Sequence, residues 1–466
     1  MFRQSTICAI STAAGAGGIA VIRVCGEEAF TVVDKIFRSK RKNDSLKNQK
    51  PYMVGYGTIN DVKTNETIDE VLVTVFHAPH SFTGDNTVEI ACHGSIYVQQ
   101  EILRLLVDNG CHLAQPGEFT MRAFVNGKMD LSQAEAVADL IASTTRASHR
   151  MAIKQMRGGF SAELQKLRTQ LLDFVSLIEL ELDFSEEDVE FADRKKLKNL
   201  AENIEQHISQ LADSFKAGNV LKNGIPIALV GETNVGKSTL LNMFLNEDKA
   251  IVSEIHGTTR DTIEDLATIE GLTFRFIDTA GIRNTTDQIE ILGIERTYQK
   301  IEQAEIVLWL VDSTAINDDV ENFVGQISEC TAGKKVILVF NKIDKLSDEK
   351  LEYIKAIFDS TDMDKIYISA KSRTNTDALQ KMLVKTAHYK YPDNNGVVVN
   401  NIRHYDALLK AKEAIIRVIS GLDNNISGDL LSQDIRECMY HLGEITGQIS
   451  TDEVLGNIFS KFCIGK

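Results

Sequence analysis

This sequence lacks the features of membrane-spanning, secreted and disulfide-rich proteins. No apolar run reaches the roughly 20 residues that a membrane-spanning helix needs. The N-terminal stretch MFRQSTICAISTAAGAGG has one Arg and no sustained apolar core, so it does not predict a secretory signal. The seven cysteines are scattered and form no C-x-x-C pair, which predicts reduced thiols in a cytoplasm and no disulfide framework.

Positively charged residues are also fewer than negatively charged ones. The chain has 51 Lys and Arg against 66 Asp and Glu, a formal net charge of -15. An acidic chain does not attract nucleic acid through its overall field, so an RNA partner would need a local patch or a surface shared with another subunit. Residues 35–50 are rich in Lys and Arg, but a solvated loop is the simpler interpretation.

The last five residues, FCIGK, place a cysteine fourth from the end, as a prenylation signal does. The rest of that signal is missing, because Gly465 and Lys466 stand where other residue types are required. Residues 450–453 instead predict a helix-capping box, and an apolar helical face follows it. That face comprises Val454, Leu455, Ile458, Phe459 and Phe462. Cys463 then lies just past a packed helix, either as a buried structural thiol or in a tail delivered to an active region.

The pattern of apolar and polar residues changes three times along the chain, and these changes predict the domain organisation. Residues 1–128 mix short β-rich runs with Gly-rich turns, which is typical of an α+β domain. Apolar residues recur at helical spacing in 129–220 and again in 385–466. Between them, residues 221–384 alternate short apolar runs with polar helical stretches, which predicts a doubly wound, mostly parallel sheet. The simplest arrangement is an α/β domain inserted in one helical domain, and two separate helical domains are the alternative.

Five apolar runs are the predicted strands of this sheet. They are residues 225–230, 274–278, 306–312, 336–341 and 366–369. Because the carboxyl ends of parallel strands form one edge, motifs that follow these runs are expected to converge there.

The first such motif is the sequence GETNVGKS at 231–238, a Walker A loop between an apolar strand and a helix. Successive backbone N–H groups of such a loop form an anion nest, and the helix N-terminus adds its dipole. Lys237 is predicted to reach the outer phosphates and Ser238 to offer its hydroxyl to Mg²⁺. The motif indicates a nucleoside triphosphate without choosing the base.

The base is indicated by Asn341-Lys-Ile-Asp344, which follows another strand. The carboxylate of Asp344 is predicted to accept from the ring N–H and the exocyclic amine of guanine, which adenine does not offer. Residues 369–371, Ser-Ala-Lys, fit the last guanine-contacting loop.

Two more motifs complete the set. The stretch 278–281, Asp-Thr-Ala-Gly, sits at a strand end, where Asp278 is expected to hold Mg²⁺ through water and the Gly281 N–H to meet the γ-phosphate. Thr258 and Thr259 after Gly257 fit the first switch loop. Five motifs in the correct order, each at a strand end, predict a GTPase.

The glutamine that orients the attacking water in many small GTPases is missing, because Ile282 occupies its position. No arginine finger is obvious, since Arg260 and Arg283 are interpreted as ordinary switch-loop cations. The amide oxygen of Asn234 could instead ligate a monovalent cation beside the phosphates. The alternative is that Asn234 is simply a small turn residue that tolerates a left-handed backbone.

Together these features resemble the tRNA-modifying GTPase family MnmE, also called TrmE, over essentially the whole chain. The resemblance is carried by the Walker A loop with Asn234 and by residues 81–84, 115–119, 251–261, 278–283, 293–296 and 462–466. One departure is Thr233, where the family pattern has Pro, and it is expected to soften the preorganisation of the loop only slightly.

The resemblance implies a homodimer whose N-terminal domains pair and bind 5,10-methylene- or 5-formyl-tetrahydrofolate. It places Arg23, Glu89, Lys128 and Lys466 in that folate site. It also implies a flavin- and NADH-dependent partner, MnmG or GidA, in a heterotetramer or larger complex. The complex would add an aminomethyl or carboxymethylaminomethyl group to position 5 of the wobble uridine of certain tRNAs.

For the GTPase domain, the resemblance implies K⁺ on Asn234 with backbone oxygens of Ser253, Ile255 and Thr258, and Mg²⁺ on Ser238 and Thr259. Glu290 takes the catalytic place of the missing glutamine, alongside Lys237, and Cys463 takes a chemical or positioning role in modification. The full nucleotide-binding set is Asn234, Val235, Gly236, Lys237, Ser238, Thr239, Ser253, Glu254, Ile255, His256, Gly257, Thr258, Thr259, Asp278, Thr279, Ala280, Gly281, Asn341, Lys342, Ile343, Asp344, Ser369, Ala370 and Lys371.

Two other functions fit a P-loop domain. A ribosome-assembly GTPase should carry an RNA-binding module, such as a basic KH-type domain. This chain instead has an acidic helical part and an N-terminal domain that resembles a folate-binding one. A non-catalytic regulatory GTP-binding module would show tight binding with undetectable turnover, and fast K⁺-dependent hydrolysis would exclude it.

Overall fold

The computed structural model describes residues 5–40, 45–183, 194–247, 265–277, 301–316, 320–359, 361–387, 397–449, 452–460, 462 and 465. The chain divides into two compact units. The first unit comprises 1–142, 151–210 and 406–466, and the second comprises 143–150 and 211–405.

The first unit begins with a seven-stranded sheet in the order β3-β4-β5-β6-β2-β1-β7. Its strands are β1 (Ile7–Ile10), β2 (Ile19–Cys25), β3 (Phe37–Ser39), β4 (Val54–Asn60), β5 (Thr67–Phe76), β6 (Thr87–His93) and β7 (His112–Leu113). Neighbours are antiparallel except β1 and β7. The helices α1 (Ala29–Ile36) and α2 (Ile96–Asp108) contribute to one buried core with the sheet.

Alternation along the strands leaves the other face of this sheet more open. Val71, Val73 and Val75 of β5 are buried, whereas Leu72 between them is 48% exposed. Tyr56 of β4 lies directly opposite Leu72 in the strand register and is 47% exposed. The period of two therefore produces a covered face and an open face.

The rest of the first unit is helical. Its helices are α3 (Glu118–Val125), α4 (Leu131–Ala142), α5 (Arg146–Met156), α6 (Gly159–Asp183), α7 (Arg194–Asp213), α13 (Ile402–Asp423), α14 (Gly428–Thr446) and α15 (Asp452–Phe459), and α5, α7 and α13 each extend across a unit boundary. The long α6 packs along α14, and Ser432 of α14 donates to Glu179 of α6. Helices from before and after the α/β segment therefore share one unit, as the predicted insertion requires.

The second unit contains a six-stranded sheet in the order β13-β12-β11-β8-β10-β9. Its strands are β8 (Ile225–Val230), β9 (Asp265–Ile269), β10 (Leu272–Phe276), β11 (Ile306–Asp312), β12 (Lys335–Asn341) and β13 (Asp364–Tyr367), and its other helices are α8 (Phe215–Asn223), α9 (Lys237–Glu247), α10 (Val320–Cys330), α11 (Asp348–Phe358) and α12 (Thr376–Ala387). All pairs are parallel except β9 with β10. The central strands are buried on both faces, which explains their unbroken apolar runs.

Within the described ranges, no helix combines the length and the apolar character that crossing a membrane would need. The described cysteines are free thiols, and five of the six are buried. Burial raises the pKa of Cys92 to about 11 and that of Cys438 to about 12. These two thiols are therefore protonated at neutral pH, and neither is a ready nucleophile.

Candidate functional site

The Walker A loop occupies the turn between β8 and α9. Gly231 has φ +146 and lies so close to the carbonyl oxygen of Leu310 that a side chain there would collide with it. Asn234 has φ +60 and Gly236 has φ +104. These left-handed residues curl the backbone and bring it to the N-terminus of α9, which begins at Lys237. A curled backbone at a helix N-terminus is the geometry that the predicted anion-binding nest needs.

Lys237 already lies over this loop. Its Nζ donates to the carbonyl oxygens of Gly231 (2.6 Å) and Glu232 (2.5 Å). Ser238 and Thr239 are exposed on the first turn of α9, and Asn234 is exposed on the loop. The ammonium and the hydroxyls therefore border the same loop, as the predicted phosphate and Mg²⁺ roles require.

Asn341 connects three of the predicted motifs. It ends β12 and is 3% exposed. Its Nδ2 donates to the Val235 carbonyl in the Walker A loop (2.7 Å), and its Oδ1 accepts from the Ala370 N–H (3.0 Å). One buried amide thus fixes the distance between the phosphate loop and the 369–371 loop.

Asp344 lies on the exposed side of this arrangement. Its Oδ1 accepts from Ser369 Oγ (2.6 Å), and Ser369 Oγ in turn accepts from the Ser372 N–H (3.2 Å). Lys371 is exposed on the same loop. Ser369 orients the carboxylate through one oxygen, and Asp344 is exposed, which suits recognition of paired N–H donors on a base.

Several predicted nucleotide-site residues lie outside the described residues. They are Ser253, Glu254, Ile255, His256, Gly257, Thr258, Thr259, Asp278, Thr279, Ala280, Gly281 and Glu290. Most of the predicted K⁺ ligands, one Mg²⁺ ligand and the predicted catalytic glutamate are among them. Among the described residues, no three His, Cys, Asp or Glu side chains are grouped as a metal site.

In the first unit, Arg23 and Glu89 face each other across β2 and β6. Arg23 donates from Nε (3.0 Å) and from a terminal nitrogen (2.8 Å) to Glu89 Oε1. Its guanidinium lies 5.8 Å from the ring centroid of Phe82 and 5.6 Å from that of Phe119. Both side chains of the ion pair are partly exposed, and so is Phe82, whereas Phe119 is buried beneath them. The ion pair and one aromatic ring are therefore accessible at one place.

The two rings were not among the residues predicted for this site. Phe82 and Phe119 belong to the stretches 81–84 and 115–119, which already carried the family resemblance. An aromatic residue inside a Gly-containing loop motif was the available signal. We define the Arg23 cluster as Arg23, Glu89, Phe82 and Phe119.

Lys128 contacts the loop that carries Phe82. Its Nζ donates to the Pro79 carbonyl (3.0 Å). Asn126 ties the same loop down by donating to the Thr83 carbonyl (2.8 Å) and to Asp85 (3.0 Å). The structure therefore brings three of the four predicted folate residues to one region of the first unit.

The fourth, Lys466, and Cys463 lie outside the described residues, but Gly465 does not. Gly465 is buried, and its carbonyl accepts from Ser11 Oγ (3.1 Å). A side chain at Gly117 would lie 2.6 Å from the Phe459 carbonyl oxygen, so α15 also approaches the start of α3 closely. Because α3 supplies Phe119, the end of the chain is held against elements that build the Arg23 cluster.

Two family models and a set of curated relatives match this chain. The family model "MnmE helical domain" matches residues 131–463, and "GTP-binding protein TrmE N-terminus" matches residues 6–128. A tRNA modification GTPase MnmE of Bacteroides fragilis (strain YCH46) is 58% identical over 466 residues, covering 99% of this chain and 100% of the relative. The corresponding protein of Flavobacterium johnsoniae is 52% identical over 469 residues, covering 100% of both chains.

Among solved structures, Era from Aquifex aeolicus bound to GDP and AlF4⁻ aligns at 30% identity with a TM-score of 0.27, covering 41% of this chain and 66% of that chain. The full-length sequence relatives and the two family models show the family of this chain. The chain belongs to the MnmE (TrmE) family of tRNA modification GTPases.

Proposed function

We propose that this protein is a K⁺-dependent GTP hydrolase of the cytoplasm that acts in tRNA modification. With a flavin- and NADH-dependent partner of the MnmG type, it would modify position 5 of the wobble uridine and use a tetrahydrofolate one-carbon unit. One observation on this family member carries the proposal. The loops predicted to bind a guanine nucleotide lie in one unit, and the Arg23 cluster lies with the end of the chain in the other.

The described residues divide the work on the nucleotide. Lys237 is placed to neutralise oxygens of the outer phosphates, because its Nζ already lies on the loop that would surround them. Asp344 reads the guanine edge, and Asn341 keeps that reader in register with the phosphate loop. Glu290 is the proposed water-orienting residue, and it replaces the missing glutamine.

The loop offers oxygen donors that suit hard cations. The amide of Asn234 is exposed on a left-handed turn, and the Ser238 hydroxyl is exposed on the first turn of α9. Bound there with oxygens of Ser253, Ile255, Thr258 and Thr259, K⁺ and Mg²⁺ would supply positive charge against the transition state. Asn234 would then act in place of an arginine finger.

Hydrolysis is expected to require K⁺. Replacing K⁺ by the smaller Na⁺ should slow turnover roughly tenfold or more, about 1.4 kcal/mol in the barrier. Asn234→Ala should abolish the difference between the two salts, because it removes the side-chain ligand. Phosphate release at constant ionic strength measures both effects.

Asn65→Ala is the matched control, since Asn65 also has a left-handed backbone, φ +59, but lies in the first unit. It should leave the salt dependence unchanged. Equal rates in K⁺ and Na⁺ for the unaltered protein would contradict the cation role. Undetectable turnover with tight GTP binding would favour the regulatory alternative.

The Arg23 cluster has the chemistry that a reduced folate needs. A pteridine ring presents N–H groups that can donate to a carboxylate such as Glu89, and its plane can pack against the exposed ring of Phe82. Lys128 and Lys466 would supply charge for the glutamyl carboxylates. When bound, the folate would supply the one-carbon unit, and the chain's own residues would hold it and exclude water.

The open face of the N-terminal sheet supports the proposed homodimer. Val54 (52% exposed), Tyr56 (47%) and Leu72 (48%) lie on neighbouring strands. Contiguous apolar side chains of this kind mark interaction surfaces, and one patch meeting its own copy gives a two-fold dimer. Arg23 and Glu89 lie on the same sheet, so pairing there would also cover the folate site.

The decisive test is nucleoside analysis of tRNA from a strain that lacks this gene, with and without a plasmid copy. Loss of the modified wobble uridine, restored by the plasmid, is the expected result. Normal tRNA modification together with accumulated ribosomal precursors would instead favour the ribosome-assembly alternative.

A further inference from the structure

Asp312 is a partly exposed aspartate that belongs to none of the five predicted motifs. It ends β11 and pairs in register with Asn341, the last residue of β12. Its Oδ1 accepts from the N–H (3.0 Å) and hydroxyl (2.7 Å) of Thr314, and its Oδ2 accepts from Lys342 Nζ (2.6 Å). Both carboxylate oxygens therefore have partners inside the protein.

The charge on Asp312 is secured by these bonds. Burial alone would raise its pKa, but the hydrogen bonds from Lys342 and Thr314 outweigh burial and hold the pKa below its usual range. The side chains of Lys342 and Asp312 are 23% and 20% exposed. A partly buried ion pair with fixed geometry is worth more than a surface pair, because water screens it less.

Lys342 needs such support because of its backbone. It has φ +67, a left-handed conformation that is uncommon for a residue with a Cβ. It stands between Asn341, which binds the Walker A loop, and the short 3-10 helix Ile343–Lys345 that carries Asp344. The conformation of Lys342 therefore decides the direction in which the chain leaves β12 and the direction in which Asp344 points.

We infer that Asp312 is a positioning residue for guanine specificity. It clamps Lys342 in the left-handed conformation and thereby aims the Asp344 carboxylate at the base. Because both Asp312 oxygens are engaged by Lys342 and Thr314, it acts through Lys342 and not on the nucleotide itself. The inference rests on the base-reading role proposed above for Asp344.

The inference makes Asp312→Ala a selective change in the full-length protein. The dissociation constant for GDP should rise roughly tenfold. That for IDP should rise less, because hypoxanthine lacks the exocyclic amine that a correctly aimed Asp344 would read. KM for GTP should rise with the GDP constant, while kcat at saturating GTP should change much less, since no group near the reacting phosphates is altered. Asp312→Asn keeps one acceptor oxygen, loses the charge and cannot accept from both Thr314 and Lys342, so its GDP affinity should lie between that of Asp312→Ala and that of the unaltered protein.

Three further variants separate positioning from general stabilisation. Glu352→Ala removes an exposed ion pair with Lys355 on α11 of the same unit, 2.7 Å long, and should change neither constant. Combining Lys342→Met with Asp312→Ala should weaken GDP binding little more than Lys342→Met alone, because each substitution removes the same ion pair.

The inference is overturned if Asp312→Ala binds GDP as tightly as the unaltered protein. It is also overturned if GDP and IDP binding, kcat and melting temperature all fall together, because that pattern describes a purely structural ion pair. Asp344→Asn in the same series separates the two claims. A changed base preference in Asp344→Asn with no effect in Asp312→Ala rejects only the positioning role, whereas an unchanged preference in Asp344→Asn rejects the base reader itself.

Discussion

Asp344→Asn is expected to turn a guanine-nucleotide protein into one that prefers xanthine nucleotides. The carboxylate accepts from two guanine N–H groups, whereas an amide presents a donor in that place and xanthine carries a carbonyl there. Ser369 Oγ donates to Asp344 Oδ1, so the amide of the variant would keep its oxygen toward Ser369 and turn its NH₂ toward the base. GTP affinity should fall roughly 100- to 10,000-fold, the effect of losing two charge-assisted hydrogen bonds.

The measurement is equilibrium binding of GTP and XTP to both proteins, followed by hydrolysis of each nucleotide. Asp348→Asn is the matched control, because Asp348 is an exposed carboxylate four residues further along in the first turn of α11. It should leave the preference for GTP intact. A variant at 344 that still prefers GTP as strongly as before would show that Asp344 does not read the base.

Altering the end of the chain is expected to abolish tRNA modification and to spare GTP hydrolysis. Removal of residues 465–466 would delete the Gly465 carbonyl that Ser11 holds, together with Lys466. Folate binding should weaken and the modified wobble uridine should disappear, while melting temperature and GTP turnover stay near those of the unaltered protein. Cys463→Ser should also lose the modification if that thiol has a chemical or positioning role.

The alternative is that these residues only fill a core. A buried thiol made polar would then lower the free energy of unfolding by about 1–2 kcal/mol, and both activities would fall with the amount of folded protein. Melting temperature, GTP turnover, folate affinity and tRNA nucleosides are therefore measured on the same preparations. Normal wobble modification in both tail variants would reject any role of the tail in that reaction.

Gly465→Ala provides a subtler version of this test. Gly465 has φ +94, and a side chain there would collide with the backbone of Ile10. The substitution should displace the tail without shortening it. Gly110→Ala is its matched control, because Gly110 has φ +113 but nothing lies within 4 Å of where its side chain would be. Only the first variant should impair modification.

Much of the second unit followed from local sequence. The Walker A loop, the Asn341–Asp344 motif and the 369–371 loop all lie where strands end. These ends can be predicted because a buried parallel strand is a short apolar run followed by polar residues. The predicted strand 274–278 was displaced, since the observed strand is Leu272–Phe276. Ile277 is nonetheless buried and donates its N–H to the Ile227 carbonyl. Apolar character marks burial, and burial extends beyond the last assigned strand residue.

What sequence reasoning missed depends on distant pairing. The contact between Arg23 and Glu89 depends on the register of β2 and β6, and the two rings reach Arg23 from the loop that carries Phe82 and from α3. The Asp312–Lys342 ion pair likewise requires β11 and β12 to end side by side. No local period encodes such pairs, because they arise only when tertiary packing aligns strands that are far apart in the chain.

The packing of α6 along α14 has a consequence for synthesis on the ribosome. Ser432 and Arg436 of α14 bond to Glu179 of α6 across 253 and 257 residues, with most of the second unit encoded between them. Translation at about 5–20 residues per second delays the partner by roughly 13–50 s after α6 emerges. The second unit, which carries the nucleotide-binding loops, can fold during that interval. The apolar side of α6 is not covered by α14 until later. The apolar surface of α6 is therefore exposed to other proteins for longest while the chain is still on the ribosome.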